Sequence, residues 1–203
     1  MQKILGYLRR AVQEFDLIQN GDRIAVGISG GKDSLVLLTA LHDFLRFGLL
    51  EYELVAITLD PQFEGIATDY SAVAEYCEKL GVPYHVIPTE IGRIVFEARK
   101  ETHPCSLCAK MRRGALHDKA KEFGCNKLAL GHHNDDALET FLMNLFIEGR
   151  IGCYAPKSYL SRKDLTLIRP LSFAPERDIV RASRGIVPAG VRSRCPVDGH
   201  TSR

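Results

Sequence analysis

A short apolar run, Ile24-Ala25-Val26-Gly27-Ile28, leads into Ser29-Gly30-Gly31-Lys32-Asp33-Ser34, and that hexamer leads into Leu35-Val36-Leu37-Leu38. The order strand, glycine turn, helix leaves few folds open, because it is the opening part of a βαβ unit. Two glycines let backbone approach an anion closely, since neither carries a Cβ. The unpaired N–H groups of the helix start and the positive end of its dipole then face that anion. Lys32 adds a point charge, and Ser29 and Ser34 add hydroxyl donors. The hexamer reads as a phosphate cradle. It is not a P-loop, which needs G-x-x-x-x-G-K-[ST] with Lys directly before the hydroxyl. Nor does Gly27-Ile28-Ser29-Gly30-Gly31 supply a G-x-G-x-x-G fingerprint. The plainer reading of the same residues is a Gly-Gly turn with a Ser-Asp helix cap.

The rest of the chain repeats the alternation. Strands are expected at residues 23–28, 54–59, 84–87, 127–130 and 165–169. Helical patterns lie at 34–47, 68–80, 106–123, 135–148 and 176–183, with Gly81 and Gly124 at C-terminal cap positions. This predicts an α/β fold, a doubly wound parallel sheet of five strands with helices on both faces. Ile4, Leu5, Leu8, Val12, Phe15 and Ile18 recur at helical spacing. The expected organisation is therefore an amphipathic helix within residues 1–20, followed by one domain over 21–203. That helix serves equally for pairing in a homodimer or for packing on its own core. No apolar run approaches the roughly 20 residues of a membrane span, and the N-terminus lacks a secretory h-region, so a cytoplasmic protein with no membrane partner is expected.

Ligands of such sheets bind beyond the carboxyl ends of the strands. Ser29, Asp60, Gly131 and the segment after Arg169 fall at that edge. Gly131-His132-His133-Asn134-Asp135-Asp136 stands at a strand end and a helix start. Asn134 or Asp135 can cap the helix, with Glu139 completing the first turn. Asp135 and Asp136 can also hold Mg²⁺ beside the phosphate loop, and one of them, or a His, can move a proton.

Six cysteines without a secretory signal do not read as a disulfide framework. Cys77 and Cys125 read as buried apolar residues, and Cys153 has no assigned role. Cys105-Ser106-Leu107-Cys108 follows Pro104 and opens a helix, where the dipole, Lys110, Arg112 and Arg113 favour thiolates. A lone C-x-x-C fits half a zinc site, a redox dithiol or part of an iron–sulfur site. Cys195 can add a third thiolate. Zinc would then need a fourth ligand, such as His103, His132 or His200, whereas three thiolates on a [4Fe–4S] cluster leave one iron open.

Ser29–Ser34 resembles the SGGxDS loop of PP-loop ATP pyrophosphatases. Four elements taken together, Ser29–Ser34, Cys105-Ser106-Leu107-Cys108 with Arg112-Arg113-Gly114, Leu130–Asp136, and Ile168-Arg169-Pro170-Leu171 followed by Cys195-Pro196-Val197-Asp198-Gly199-His200, resemble the tRNA 2-thiocytidine synthetases of that superfamily. The resemblance implies an adenine nucleotide α-hydrolase-like fold and a tRNA-cytidine sulfurtransferase. Such an enzyme adenylates a tRNA cytidine, releases pyrophosphate and transfers sulfur with the help of a [4Fe–4S] cluster. The implied cluster ligands are Cys105, Cys108 and Cys195. ATP would lie on Ser29, Gly30, Gly31, Lys32, Asp33, Ser34, Asp60, Gly131 and His132, with Gly131 letting the nucleotide lie against backbone. Mg²⁺ would sit near Asp135 or Asp136, and Asp135 and Arg112 would serve the reaction, Arg112 by steadying the adenylated base. The implied partners are tRNA and a sulfur donor, a desulfurase or sulfide.

The charge distribution agrees with an RNA partner. From Arg150 to Arg203 there are 11 Lys/Arg and 4 Asp/Glu, hence +7, leaving −5 for the rest of a chain whose formal charge is +2. Tyr154, Tyr159 and Phe173 are interspersed there, and basic residues with aromatics suit a phosphate backbone and an extruded base. A solvated basic face is the bland alternative. Other functional readings are a PP-loop thiolase using a persulfide on Cys105/Cys108, an ATP-dependent amidotransferase or ligase with structural zinc, and a non-catalytic RNA-binding module.

Overall fold

A computed structural model describes residues 1–98, 104–186 and 195–197. His103, His200, Asp198 and Gly199 lie outside them. Six strands form one sheet: β1 (Asp22–Gly27), β2 (Tyr52–Asp60), β3 (Tyr84–Pro88), β4 (Lys127–Ala129), β5 (Lys157–Leu160) and β6 (Leu165–Ile168). Their order is β3-β2-β1-β4-β6-β5, all parallel except β5, which runs antiparallel to β6. The five expected strands are all present, and the sheet has a sixth. β5 was not foreseen because Lys157-Ser158-Tyr159-Leu160 is short, half-exposed and polar, as an edge strand can be. It gains its ladder only by folding back on β6 through the turn at residues 161–164.

Helices cover both faces. α1 (Gln2–Phe15), α2 (Lys32–Leu45), α3 (Ser71–Leu80) and α6 (Glu176–Ser183) pack on one face, and α4 (Pro104–Glu122) on the other. The alternation of strand side chains decides which residue meets which layer. Ile24 and Val26 of β1, with Leu54 and Ala56 of β2, join the core under α1, α2 and α6. Ala25, Val55 and Ile57 join the core under α4 with Ala120, Leu128 and Leu167. Burial on both sides explains why β1 and β2 read as continuous apolar runs.

α1 ends at Asp16, which takes a left-handed cap (φ 48°). Ile4, Leu8, Ala11 and Val12 are buried in the chain's own core, so its apolar face is spent internally. α5 (Asn134–Phe146), the crossover from β4 to β6, differs: it contributes no fully buried side chain, and Leu138, Phe146 and Ile147 are exposed. At the foot of the sheet, the buried Lys127 ammonium lies 2.7 Å from Asp22 and donates to Leu17 O at 2.8 Å. Among the described residues no helix is long and apolar enough to cross a membrane.

Candidate functional site

The chain runs outward from β1 to β2 and β3, then returns across the sheet to β4 on the other side of β1. A crevice opens where the winding reverses, between the carboxyl ends of β1 and β4. The phosphate loop leaves β1 there, and Gly131-His132-His133 leaves β4.

α2 starts at Lys32, two residues earlier than periodicity suggested, so Lys32, Asp33 and Ser34 form its first turn. Its N-cap, Gly31, offers no side chain, and no side-chain hydrogen bond caps the helix. The Ser-Asp cap of the plainer alternative is absent, and Ser34 Oγ turns back to donate to Gly31 O at 2.9 Å. Ser29 N–H donates to Ser34 Oγ and Gly31 N–H to Ser29 Oγ, both at 3.2 Å. Gly30 sits at φ 83°, a left-handed conformation that glycine adopts without strain. The hydroxyls thus hold the loop's shape, and the uncapped helix start faces the crevice.

Gly131 closes against that turn. A Cβ built on it would meet Asp33 C and Ser34 N at 3.1 Å. The glycine therefore lets β4 lie against the phosphate loop's own backbone, and it also lines the cleft beside the loop. The next helix is capped by His133, not by Asn134 or Asp135. His133 Nδ1 accepts the Asp136 N–H at 3.4 Å, and Asp136 Oδ2 accepts the His133 N–H at 3.0 Å. His133 qualifies because its buried ring reaches back over the first turn, with Nε2 3.8 Å from Asp33 Oδ1 and 3.5 Å from Asp136 Oδ2. Asp33 Oδ1 is itself buried with no hydrogen-bond partner among the described residues.

Other nucleotide candidates are engaged elsewhere. Lys32 Nζ lies 2.9 Å from Glu176 Oε1 and 3.3 Å from Asp33 Oδ1. Burial opposes its charge, but those two carboxylates hold it above the ordinary lysine value. Asp135 Oδ2 accepts the Glu176 N–H at 2.7 Å, tying α5 to the start of α6. Asp60 is buried, and its oxygens accept the Gln62 and Thr68 N–H groups at 3.2 and 3.0 Å, shaping the loop after β2.

A cleft of about 410 Å³ opens beside the loop. Ser29, Asp33, Ser34, Gly131, His132, Asp136 and Arg112 line it; Gly30, Gly31, Lys32, Asp60, Asp135 and the three candidate cysteines do not. The wall opposite the loop is one stripe of α4, Ala109, Arg112, Arg113, Leu116 and His117, spaced three or four residues apart. Of these the sequence singles out Arg112 for the reaction and Arg113 beside the thiols; Ala109, Leu116 and His117 carry no motif, and only the helical spacing links them. The His132 ring lies against Tyr154, tilted by 44° with centroids 5.1 Å apart, and the buried Arg169 guanidinium covers Tyr154 at 4.6 Å.

The thiols stand one or two turns up α4 from Arg112. Cys105 is exposed, Cys108 buried and Cys195 half-buried. Cys108 and Cys195 share an apolar cluster with Phe63, Ile91 and Val95. Burial pushes the Cys108 thiol up, with Arg112 opposing and Cys195 and Cys105 adding to the rise. The expected thiolate therefore does not hold for Cys108: desolvation outweighs the helix dipole and the basic neighbours. No three His, Cys, Asp or Glu side chains among the described residues form a ready-made site for a metal ion.

Comparison with known proteins agrees with this arrangement. Residues 5–184 match the family described as the PP-loop domain. The chain is 42% identical over 199 residues to the tRNA-cytidine(32) 2-sulfurtransferase of Geobacter sulfurreducens, covering 98% of this chain and 77% of that one. It is 41% identical over 198 residues to the protein of the same name from Citrifermentans bemidjiense, covering 97% and 77%. Among solved structures it is similar to the U34-tRNA thiolase of Methanococcus maripaludis, determined with its [4Fe–4S] cluster: TM-score 0.76, 27% identity, 96% of this chain and 66% of that one. An ammonia-dependent NAD synthetase from Campylobacter jejuni shares the fold, with TM-score 0.54, 17% identity, and 90% and 72% coverage.

Proposed function

Since the chain belongs to the PP-loop domain family, and within it to the tRNA-cytidine 2-sulfurtransferases, we propose that it activates a tRNA cytidine with ATP and replaces the C2 oxygen of the base with sulfur. The cytosine O2 attacks the α-phosphorus of ATP, pyrophosphate departs, and the base becomes an adenylate. A sulfur nucleophile at the oxidation level of sulfide, brought by a donor, then adds at C2, and AMP leaves with the original oxygen. A carbonyl oxygen leaves poorly and AMP leaves well, which is why ATP is needed.

The observation that carries this reading is Arg112. It lines the cleft beside the phosphate loop, and its charge bears on Cys108, one helical turn away. One helix thus joins a nucleotide cleft to a set of thiols. The uncapped start of α2, with Ser29 and Ser34 fixing the loop, would receive the departing phosphates. Arg112 would steady the adenylated base. Asp33 and Asp136, two carboxylates lining the cleft beside the loop, suit a Mg²⁺ that offsets phosphate charge. Asp135, engaged with α6, suits it less. Exposed Arg150, Arg162, Lys163, Arg181 and Arg184 suit the RNA backbone.

The donor chemistry suits a [4Fe–4S] cluster: three soft thiols, with Cys108 and Cys195 packed in one apolar cluster and Cys105 one helical turn before Cys108. Cys105, Cys108 and Cys195 would hold it. When bound, it supplies an iron position open to sulfur.

The test uses protein purified without oxygen, as wild type and Cys195→Ser, with tRNA, ATP, sulfide and reductant. Wild type is expected to carry roughly four irons per chain and to form 2-thiocytidine. The variant is expected to lose both while still binding ATP. Thiolation by an iron-free wild type would move the chemistry to a persulfide, and ATP turnover without tRNA would favour a small-molecule ligase.

A further inference from the structure

Past the phosphate loop the cleft continues as a slot between α4 and the sheet. Its walls are apolar: Ile57 and Leu59 of β2, Leu116 of α4, Leu128 of β4 and Leu130 just beyond it. Gly27 lets Leu116 and Leu130 pack directly on β1 at the slot's inner end, since a Cβ there would meet Leu116 Cδ2 at 3.0 Å and Leu130 Cδ2 at 3.3 Å. Such walls suit the two faces of a flat aromatic ring. Among the slot's leucines and isoleucines stands a ring nitrogen pair, that of His117.

His117 is 9% exposed, and its Nε2 is sealed from solvent with no hydrogen-bond partner among the described residues. Burial, with Arg113 adding to the effect, pushes the imidazole below its ordinary value, so the ring is neutral at pH 7. A neutral imidazole carries one N–H and one lone pair. A proton on Nε2 would be a buried donor with no acceptor, which costs free energy. The proton is therefore assigned to Nδ1, and because His117 lines the cleft that N–H is the donor its ring can offer a ligand there.

Resting on the ATP reading above, we propose that His117 reads the nucleobase, donating from Nδ1 to an acceptor nitrogen on the N1 edge of adenine and so selecting ATP over nucleotides whose N1 carries a proton. In inosine and guanine N1 is a donor, and a donor facing a donor is rejected. The phosphates and the base are thus recognised by separate parts of the cleft, the loop on one side and α4 on the other.

Calorimetric titrations with ATP, ITP and inorganic tripolyphosphate, on wild type, His117→Leu and His117→Gln, separate the outcomes. Wild type is expected to bind ATP about ten-fold more tightly than ITP, the equivalent of one net hydrogen bond. His117→Leu is expected to lose that preference through weaker ATP binding, with ITP and tripolyphosphate unchanged. His117→Gln, which keeps an N–H donor, is expected to recover part of it. An unchanged ATP-to-ITP ratio in His117→Leu overturns the inference. So does an equal loss for all three ligands, which would mark a structural histidine. A wild type that binds neither nucleotide overturns the ATP reading itself, and this inference with it.

Discussion

Lys32 Nζ stands 2.9 Å from Glu176 Oε1, so the ammonium of the phosphate loop is held at the start of α6 and outside the cleft. A bound triphosphate must compete with that carboxylate. Glu176→Gln is expected to tighten ATP binding about two- to five-fold at low salt, the scale of a half-exposed ion pair. Lys32→Ala is expected to weaken it about ten-fold or more. Titration calorimetry checks both; no change in either would mean that Lys32 serves the fold alone.

Gly131→Ala places a methyl group 3.1 Å from backbone atoms of Asp33 and Ser34, and backbone cannot swing aside as a side chain can. The loop must shift. The expected cost is about 1–3 kcal/mol of stability and most of the ATP affinity. A variant that binds ATP like wild type would show that the close approach has no bearing on the cradle.

Asp22 and Lys127 form an ion pair with side chains only 5% and 7% exposed. Removing one partner strands the other, so Asp22→Ala should cost about 3–5 kcal/mol. Replacing both, Asp22→Asn with Lys127→Met, should cost less than Asp22→Ala alone. Urea denaturation of the three proteins decides, and a double variant weaker than the single one would refute the stranded-charge account.

Thiol reactivity should sort by burial. Cys77, buried, has its thiol pushed up to about 11, and Cys125 is also raised by burial. Cys105 and Cys153 are exposed. Alkylation read by mass spectrometry should label Cys105 and Cys153 first and Cys77 and Cys125 only on unfolding. After loading with iron and sulfide, Cys105 should become protected while Cys153 stays reactive. Equal protection of both would contradict the three-cysteine assignment.

His117 also predicts a pH dependence. Its folded-state value lies below the ordinary 6.5, through burial first and Arg113 next, with Lys163 acting in the same sense and Asp118 against it. Above pH 6.5 the ring is neutral folded or unfolded. As pH falls through 6.5 the unfolded chain takes up the proton first, so stability drops. His117→Leu should flatten that part of the urea-midpoint profile relative to wild type. Parallel profiles would mean that His117 takes up its proton equally in the folded and unfolded chain, against the lowered folded-state value.

The sequence disclosed what local chemistry determines. The glycine pair, the run Gly131–Asp136 and five apolar strands are each readable within a dozen residues, and each lies where expected. What it hid depends on partners far along the chain. Lys32 and Glu176 meet across 144 positions, and Asp135 meets Glu176 across 41. His133 caps its helix although Asn134 and Asp135 are the stronger local capping types, because the ring is buried beside Asp33. Cys108 looks like a thiolate from its helix position and behaves as a buried thiol because Phe63, Ile91 and Val95 surround it. His117 is flanked by Leu116 and Asp118 and carries no motif; only the fold of α4 over the sheet gives it a place.

α5 joins β4 to β6 yet lends no fully buried side chain to the core. Substitutions along its outer turns should therefore be nearly silent in a folding screen, while the first turn, where His133, Asp135 and Asp136 are engaged, tolerates little. An alanine scan would show the boundary as a step within one helix: intolerance at residues 133–136, then near indifference from 138 to 147 apart from Asn144, whose Nδ2 donates to Gly152 O at 2.7 Å, wherever the readout is foldedness. Any intolerance that a thiolation readout adds in that second stretch measures a demand made by something other than the protein's own interior.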